Sequence, residues 1–159
     1  MLGRILLVVL ALLMAIPAGA LALLGGVLLD PALREAFGRL GLAGLFTGLA
    51  DLAAGVPPDL AASMLAFLAQ ALALLVVVPP ILTALIGETF GLRSALWYGG
   101  VGAGLTAALP WLARGAALPP AGPAAAARLS AILLATGAAS GLTYWLIAGR
   151  SAGTRPSAP

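Results

Sequence analysis

The chain has 159 residues, 62% hydrophobic and 8% charged, with a net charge of +3 carried by arginine and with no histidine and no cysteine. That composition excludes an ordinary soluble domain, and with lysine also absent it removes thiol chemistry, disulfides, soft metal ligands and the easiest proton shuttle. A pI near 10.7 without a lysine-rich patch leaves no footprint for nucleic acid, whereas four apolar stretches predict an all-α integral membrane protein with four spans.

The first block, Ile5 to Leu29, is uncharged and long enough for a tilted span. Arg4, the run Ile5 to Ile16 and Ala18-Gly19-Ala20 also fit a cleavable signal peptide. The apolar run continues through Leu29, however, further than a signal needs, which favours a retained anchor kinked at Pro17. Asp30-Pro31 then reads as an N-cap followed by proline at the first helical position. Leu33, Phe37 and Leu40 share a face away from Arg34, Glu35 and Arg39, so an amphipathic helix lying in the membrane interface is predicted. Gly41, Gly44, Gly48, Gly55 and Asp51 interrupt the next stretch, which reads as a second interfacial or re-entrant piece. The interfacial segment as a whole covers 31–55.

Pro57-Pro58-Asp59 closes that segment and opens the second span, 60–86, with Gln70 near its middle and Pro79-Pro80 bending it or dividing it in two. The short connection from Gly87 to Arg93 predicts an antiparallel hairpin with the third span, 94–112. Small residues four apart at Gly100 and Gly104, and at Gly99 and Ala103, suit close helix approach. A loop with Arg114, Pro119, Pro120 and Pro123 leads to the fourth span, 124–148, carrying Gly137 and Gly141 beside Ser140 and Thr143. Residues 1–149 thus form one transmembrane domain, and 150–159 a short polar tail.

Arginines divide equally between the two sides, Arg4, Arg93, Arg150 and Arg155 against Arg34, Arg39, Arg114 and Arg128. The amino terminus tips the balance toward both ends being cytoplasmic. Trp97, Tyr98, Tyr144 and Trp145 then serve as interfacial anchors on that side, with Trp111 on the other.

Candidate chemistry is sparse. Glu88, read as a loop residue solvated by water, is expected to form an interfacial ion pair with Arg93 or Arg150 worth about 1 kcal/mol or less, so that Glu88→Gln has little effect. Gln70, Thr83, Thr106, Ser130, Thr136, Ser140 and Thr143 could line a polar path or bond within and between helices. No base exists for a serine hydrolase, and the glycine-rich third span lacks a phosphate-loop pattern. No enzyme activity, catalytic residue, cofactor or metal is therefore expected. Arg93, Arg150 and Arg155 could together hold an anionic lipid headgroup.

The stretches from Ile86 to Ser94 (IGETFGLRS) and from Gly141 to Arg150 (GLTYWLIAGR) are those through which the chain resembles small uncharacterised four-helix inner-membrane proteins of bacteria. The resemblance implies a bacterial inner-membrane location and brings no activity with it. The absence of lysine beside abundant Ala, Gly and Arg also suits a GC-rich bacterial coding sequence. The expected role is an accessory or assembly subunit that packs on partner membrane proteins or lipids through Gly99, Gly100, Gly104, Gly137 and Gly141. The alternative is a small transporter or pore-forming homo-oligomer.

Overall fold

The computed structural model describes residues 2–55, 59–113 and 122–152, and these are helical with no strand among them. In chain order the elements are α1 (Leu2–Leu29), α2 (Pro31–Ala53), α3 (Asp59–Phe90), a π-helical turn (Trp97–Val101), α4 (Gly102–Ala113), α5 (Gly122–Ile147) and a 3₁₀ turn (Gly149–Ser151). Among the described residues, three helices are long and apolar enough to cross a membrane, Leu2–Leu29, Leu72–Phe90 and Gly122–Ile147. Arg114, Pro119, Pro120 and Arg155 lie outside the described residues, as do Pro57 and Pro58 and the side chains of Phe37, Leu40 and Asp51.

The punctuation residues act more weakly than their local preferences suggest. α1 continues through Pro17, and α3 is one helix across Pro79 and Pro80 rather than two pieces. Each proline removes one backbone donor, a loss that membrane helices absorb by local adjustment. α2 likewise runs unbroken from Pro31 to Ala53 through Gly41, Gly44 and Gly48. A helical glycine costs about 1 kcal/mol relative to alanine, a bias and not a break. The connection after α3 is shorter than its sequence suggests, because the helix persists to Phe90 and ends at Gly91. There a φ of 64° and a bond from Leu92 N–H to Gly87 O at 2.8 Å form a Schellman-type stop.

Two compact units are formed, one from Leu24–Leu74 and the other from Met1–Leu23 with Leu75–Pro159. In the first, Asp30 caps α2 by accepting a hydrogen bond from Leu33 N–H at 3.0 Å, as the Asp-Pro pair predicts. Glu35 and Arg39 form an exposed ion pair one turn apart.

The second unit is built on small residues. Ala11, Ala15 and Gly19 make one buried stripe on α1. A Cβ on Gly19 would lie 3.1 Å from Ser140 Cβ on α5, so the middle residue of the cleavage-like Ala18-Gly19-Ala20 belongs to a packing face. Gly102 and Ala103 of α4, with Tyr98 and Gly99 of the π turn, meet Gly137 and Gly141 of α5. A Cβ on Gly137 would overlap Gly102 O, and one on Gly141 would overlap Tyr98 O. Backbone therefore touches backbone, the contact that drives helix association where lipid removes the hydrophobic incentive.

This contact sets up a contrast between glycines of one chain. Gly141→Ala should lower stability by about 1–3 kcal/mol through overpacking, whereas Gly104→Ala, with open space around the new methyl group, should gain up to about 1 kcal/mol from helix propensity. Thermal unfolding of both variants in mild detergent checks this. Equal effects would mean that the π turn and α5 do not approach at Gly141.

Candidate functional site

The most connected polar cluster gathers at one end of the second unit. Arg4, in the first turn of α1, reaches across to Glu88 near the end of α3 as a fork: Nη2 donates to Oε1 at 2.5 Å and to Oε2 at 2.6 Å, and Nε donates to Oε2 at 3.0 Å. The same guanidinium donates to Ser151 Oγ at 2.6 Å and to the Ala148 carbonyl at 3.1 Å. Tyr144 of α5 donates its hydroxyl to Glu88 Oε1 at 2.9 Å. Both ion-pair side chains are mostly withdrawn from solvent, with 26% and 21% exposure. Arginine suits this place because its planar donors satisfy a carboxylate in two directions and still reach a carbonyl and a hydroxyl.

The cluster rests on two tyrosines predicted to be interfacial anchors. Tyr98 and Tyr144 are instead buried, at 0% and 1% exposure, with ring centroids 5.1 Å apart and planes tilted by 31°. Two glycines make room for Tyr98. A Cβ on Gly87 would overlap the phenol oxygen, and one on Gly149 would come within 2.8 Å of the ring. The Tyr98 hydroxyl has no hydrogen-bond partner among the described residues, and the same holds for Ser140 Oγ. Either side chain at a helix end can anchor in headgroups or pack in a core, and here glycine at the facing position selects the core.

The tryptophans hold the rim. Trp97 Nε1 donates to Thr83 O at 3.2 Å, and Trp145 Nε1 donates to Arg93 O at 2.7 Å.

Glu88 thus differs from its predicted setting. It lies within α3, not in a loop, and its partner is Arg4 rather than Arg93 or Arg150. Arg93 Nε donates to the Ala152 carbonyl at 2.8 Å, and Arg150 lies over the Trp145 ring at 4.5 Å, so both exposed arginines fasten the connection after α5. Of the predicted packing glycines, Gly99, Gly137 and Gly141 come together at the contact with α5, while Gly100 and Gly104 are exposed with nothing within 4 Å of an added Cβ. The other predicted pair, Gly99 and Ala103, does face α5, and Gly100 and Gly104 share the neighbouring face one residue on. The hydroxyls of Thr83, Thr106, Thr136 and Thr143 all donate to carbonyls of their own helices, and Gln70 is exposed.

Arg4 is the residue that sequence reasoning passed over. It reads as a topology marker, and only the 84-residue separation closed by the fold reveals its partner. Among the described residues, no group of three or more acidic, histidine or cysteine side chains gathers where a metal ion could be held. Comparison with protein-family models, with curated proteins and with solved structures finds no match to this chain.

Breaking the fork leaves a partly desolvated charge without its partner. Arg4→Ala and Glu88→Gln should each cost about 1–3 kcal/mol, the range for bonds to charged groups. The double variant should cost less than their sum by at least about 0.5 kcal/mol. Unfolding midpoints of the four proteins in detergent measure this coupling. Strict additivity would mean that water already solvates both groups.

Proposed function

We propose that the chain is a non-enzymatic, four-span integral membrane protein acting as an accessory or assembly subunit for partner membrane proteins. The fourth crossing is residues 95–113, where the helical backbone runs unbroken from Ala95 through the π turn to the end of α4. Its support is the reach of Arg4. The start of α1, the end of α3 and the residues after α5 all meet at this one guanidinium. If only α1, α3 and α5 crossed, the end of α5 would lie on the opposite side of the membrane from Arg4. A crossing by 95–113 returns it. α2 then lies along the interface, both chain ends share one side, and with the arginines evenly divided the positive amino terminus beside Arg4 makes that side the cytoplasm. α1 is retained as part of the bundle.

The observation that carries the accessory role is the division of the glycines. Gly99, Gly102, Gly137 and Gly141 are consumed inside the chain, whereas Gly100 and Gly104 remain outward on the fourth crossing, a flat strip on which a partner helix can approach closely. Gly100→Ile with Gly104→Ile should not lower the thermal stability of the purified chain and should abolish the recovery of a stoichiometric partner from mild-detergent extracts. Loss of stability, or partner recovery equal to wild type, would contradict the assignment.

The second reading, a small transporter or pore-forming oligomer, draws on one feature: Glu88 is a helical carboxylate held by Arg4 and Tyr144, the kind of group that ion-coupled carriers retain at a cost. A proton-dependent flux in vesicles that disappears in a folded Glu88→Gln protein would favour it over the accessory role.

A further inference from the structure

A groove of about 330 Å³ runs between α1 and α3 within the second unit. Its walls come from Val8, Val9, Leu12, Ile81 and Leu85, and Arg4 and Glu88 lie among its lining residues. The rim stands open, with Val9 55% and Leu85 62% exposed, and both walls belong to helices apolar enough to cross a membrane. Apolar walls with a few fixed polar groups are the general form of a small-molecule site. Here the wall chemistry is that of an acyl chain, and the polar groups are those that meet a headgroup.

We propose that this groove holds one acyl chain of a zwitterionic phospholipid whose headgroup rests on the Arg4–Glu88 pair. Charge complementarity selects the headgroup. The pair sums to zero and holds both signs side by side, a guanidinium for the phosphate and a carboxylate for the ammonium, on side chains that keep 26% and 21% of their surface accessible. A headgroup of net negative charge would meet Glu88 as well as Arg4 and lose part of what it gains. The site depends on the membrane location but not on the Gly100 and Gly104 strip, so either can fail alone.

The test is native mass spectrometry of the full chain, delipidated in detergent and titrated with phosphatidylethanolamine, with phosphatidylglycerol as the anionic comparison. Wild type should bind a single phosphatidylethanolamine in preference to phosphatidylglycerol. Val9→Trp with Leu85→Trp, which fills the groove from its exposed rim, should raise the dissociation constant about tenfold or more. Leu13→Trp, an equally exposed change on α1 away from the groove, should leave it unchanged. Unfolding curves establish that the variants are folded, and Ile5→Trp, also on the rim, replaces the pair if it is not. No bound lipid on wild type, an equal or greater preference for phosphatidylglycerol, or the same affinity in groove and control variants would each overturn the proposal.

Discussion

An arginine in a chain with so few charges must find partners wherever it leaves water, and Arg4 finds four oxygens on two other stretches of chain: both carboxylate oxygens of Glu88, the Ala148 carbonyl and Ser151 Oγ. Because such a group is costly to leave unpaired, the first turn of α1, the last turns of α3 and the residues after α5 are drawn to one level. Membrane helices gain little from hydrophobic exclusion, so a polar tie of this kind fixes register that greasy surfaces alone would leave loose. The apolar stripe of Ala11, Ala15 and Gly19 then settles α1 alongside its neighbours.

Small residues make the tie geometrically possible. Gly137 and Gly141 bring α5 into backbone contact with the π turn and α4, and Gly87 and Gly149 admit the Tyr98 ring between them. Tyr98 in turn packs on Tyr144, whose hydroxyl completes the coordination of Glu88. A methyl group at Gly87, Gly141 or Gly149 meets Tyr98 and so acts on the polar cluster through the aromatic pair, which makes packing and electrostatics here one system whose mutational effects should not simply add.

Much of this was legible in the sequence wherever the cause is local. Apolar length announced the helices, Asp30-Pro31 announced the cap that Leu33 N–H completes, and the spacing of Gly137 and Gly141 announced a close approach. Prolines and glycines misled because their costs are small beside a long apolar helix, hence the unbroken α2 and α3. Gly100 and Gly104 share a face as the i, i+4 rule requires, but spacing alone does not say which of two adjacent small-residue faces meets α5, and it is that of Gly99 and Ala103. The Arg4–Glu88 pair was illegible for another reason: two charges 84 residues apart carry no pattern until the fold joins them. Gly19 is one of the three letters, Ala18-Gly19-Ala20, that also spell a cleavage site, so its place in a buried stripe with Ala11 and Ala15 was hidden.

Whether α1 is held in the bundle beside α5 is open to direct measurement, because the chain contains no cysteine of its own. A Cβ at Gly19 would lie 3.1 Å from Ser140 Cβ, close enough for Gly19→Cys with Ser140→Cys to form a disulfide after a small adjustment. In native membranes under mild oxidation, the double variant should form an intramolecular bond in high yield that a reductant reverses. Absence of the bond in a full-length protein, or recovery of a mature chain lacking residue 19, would contradict the Arg4-clamped bundle.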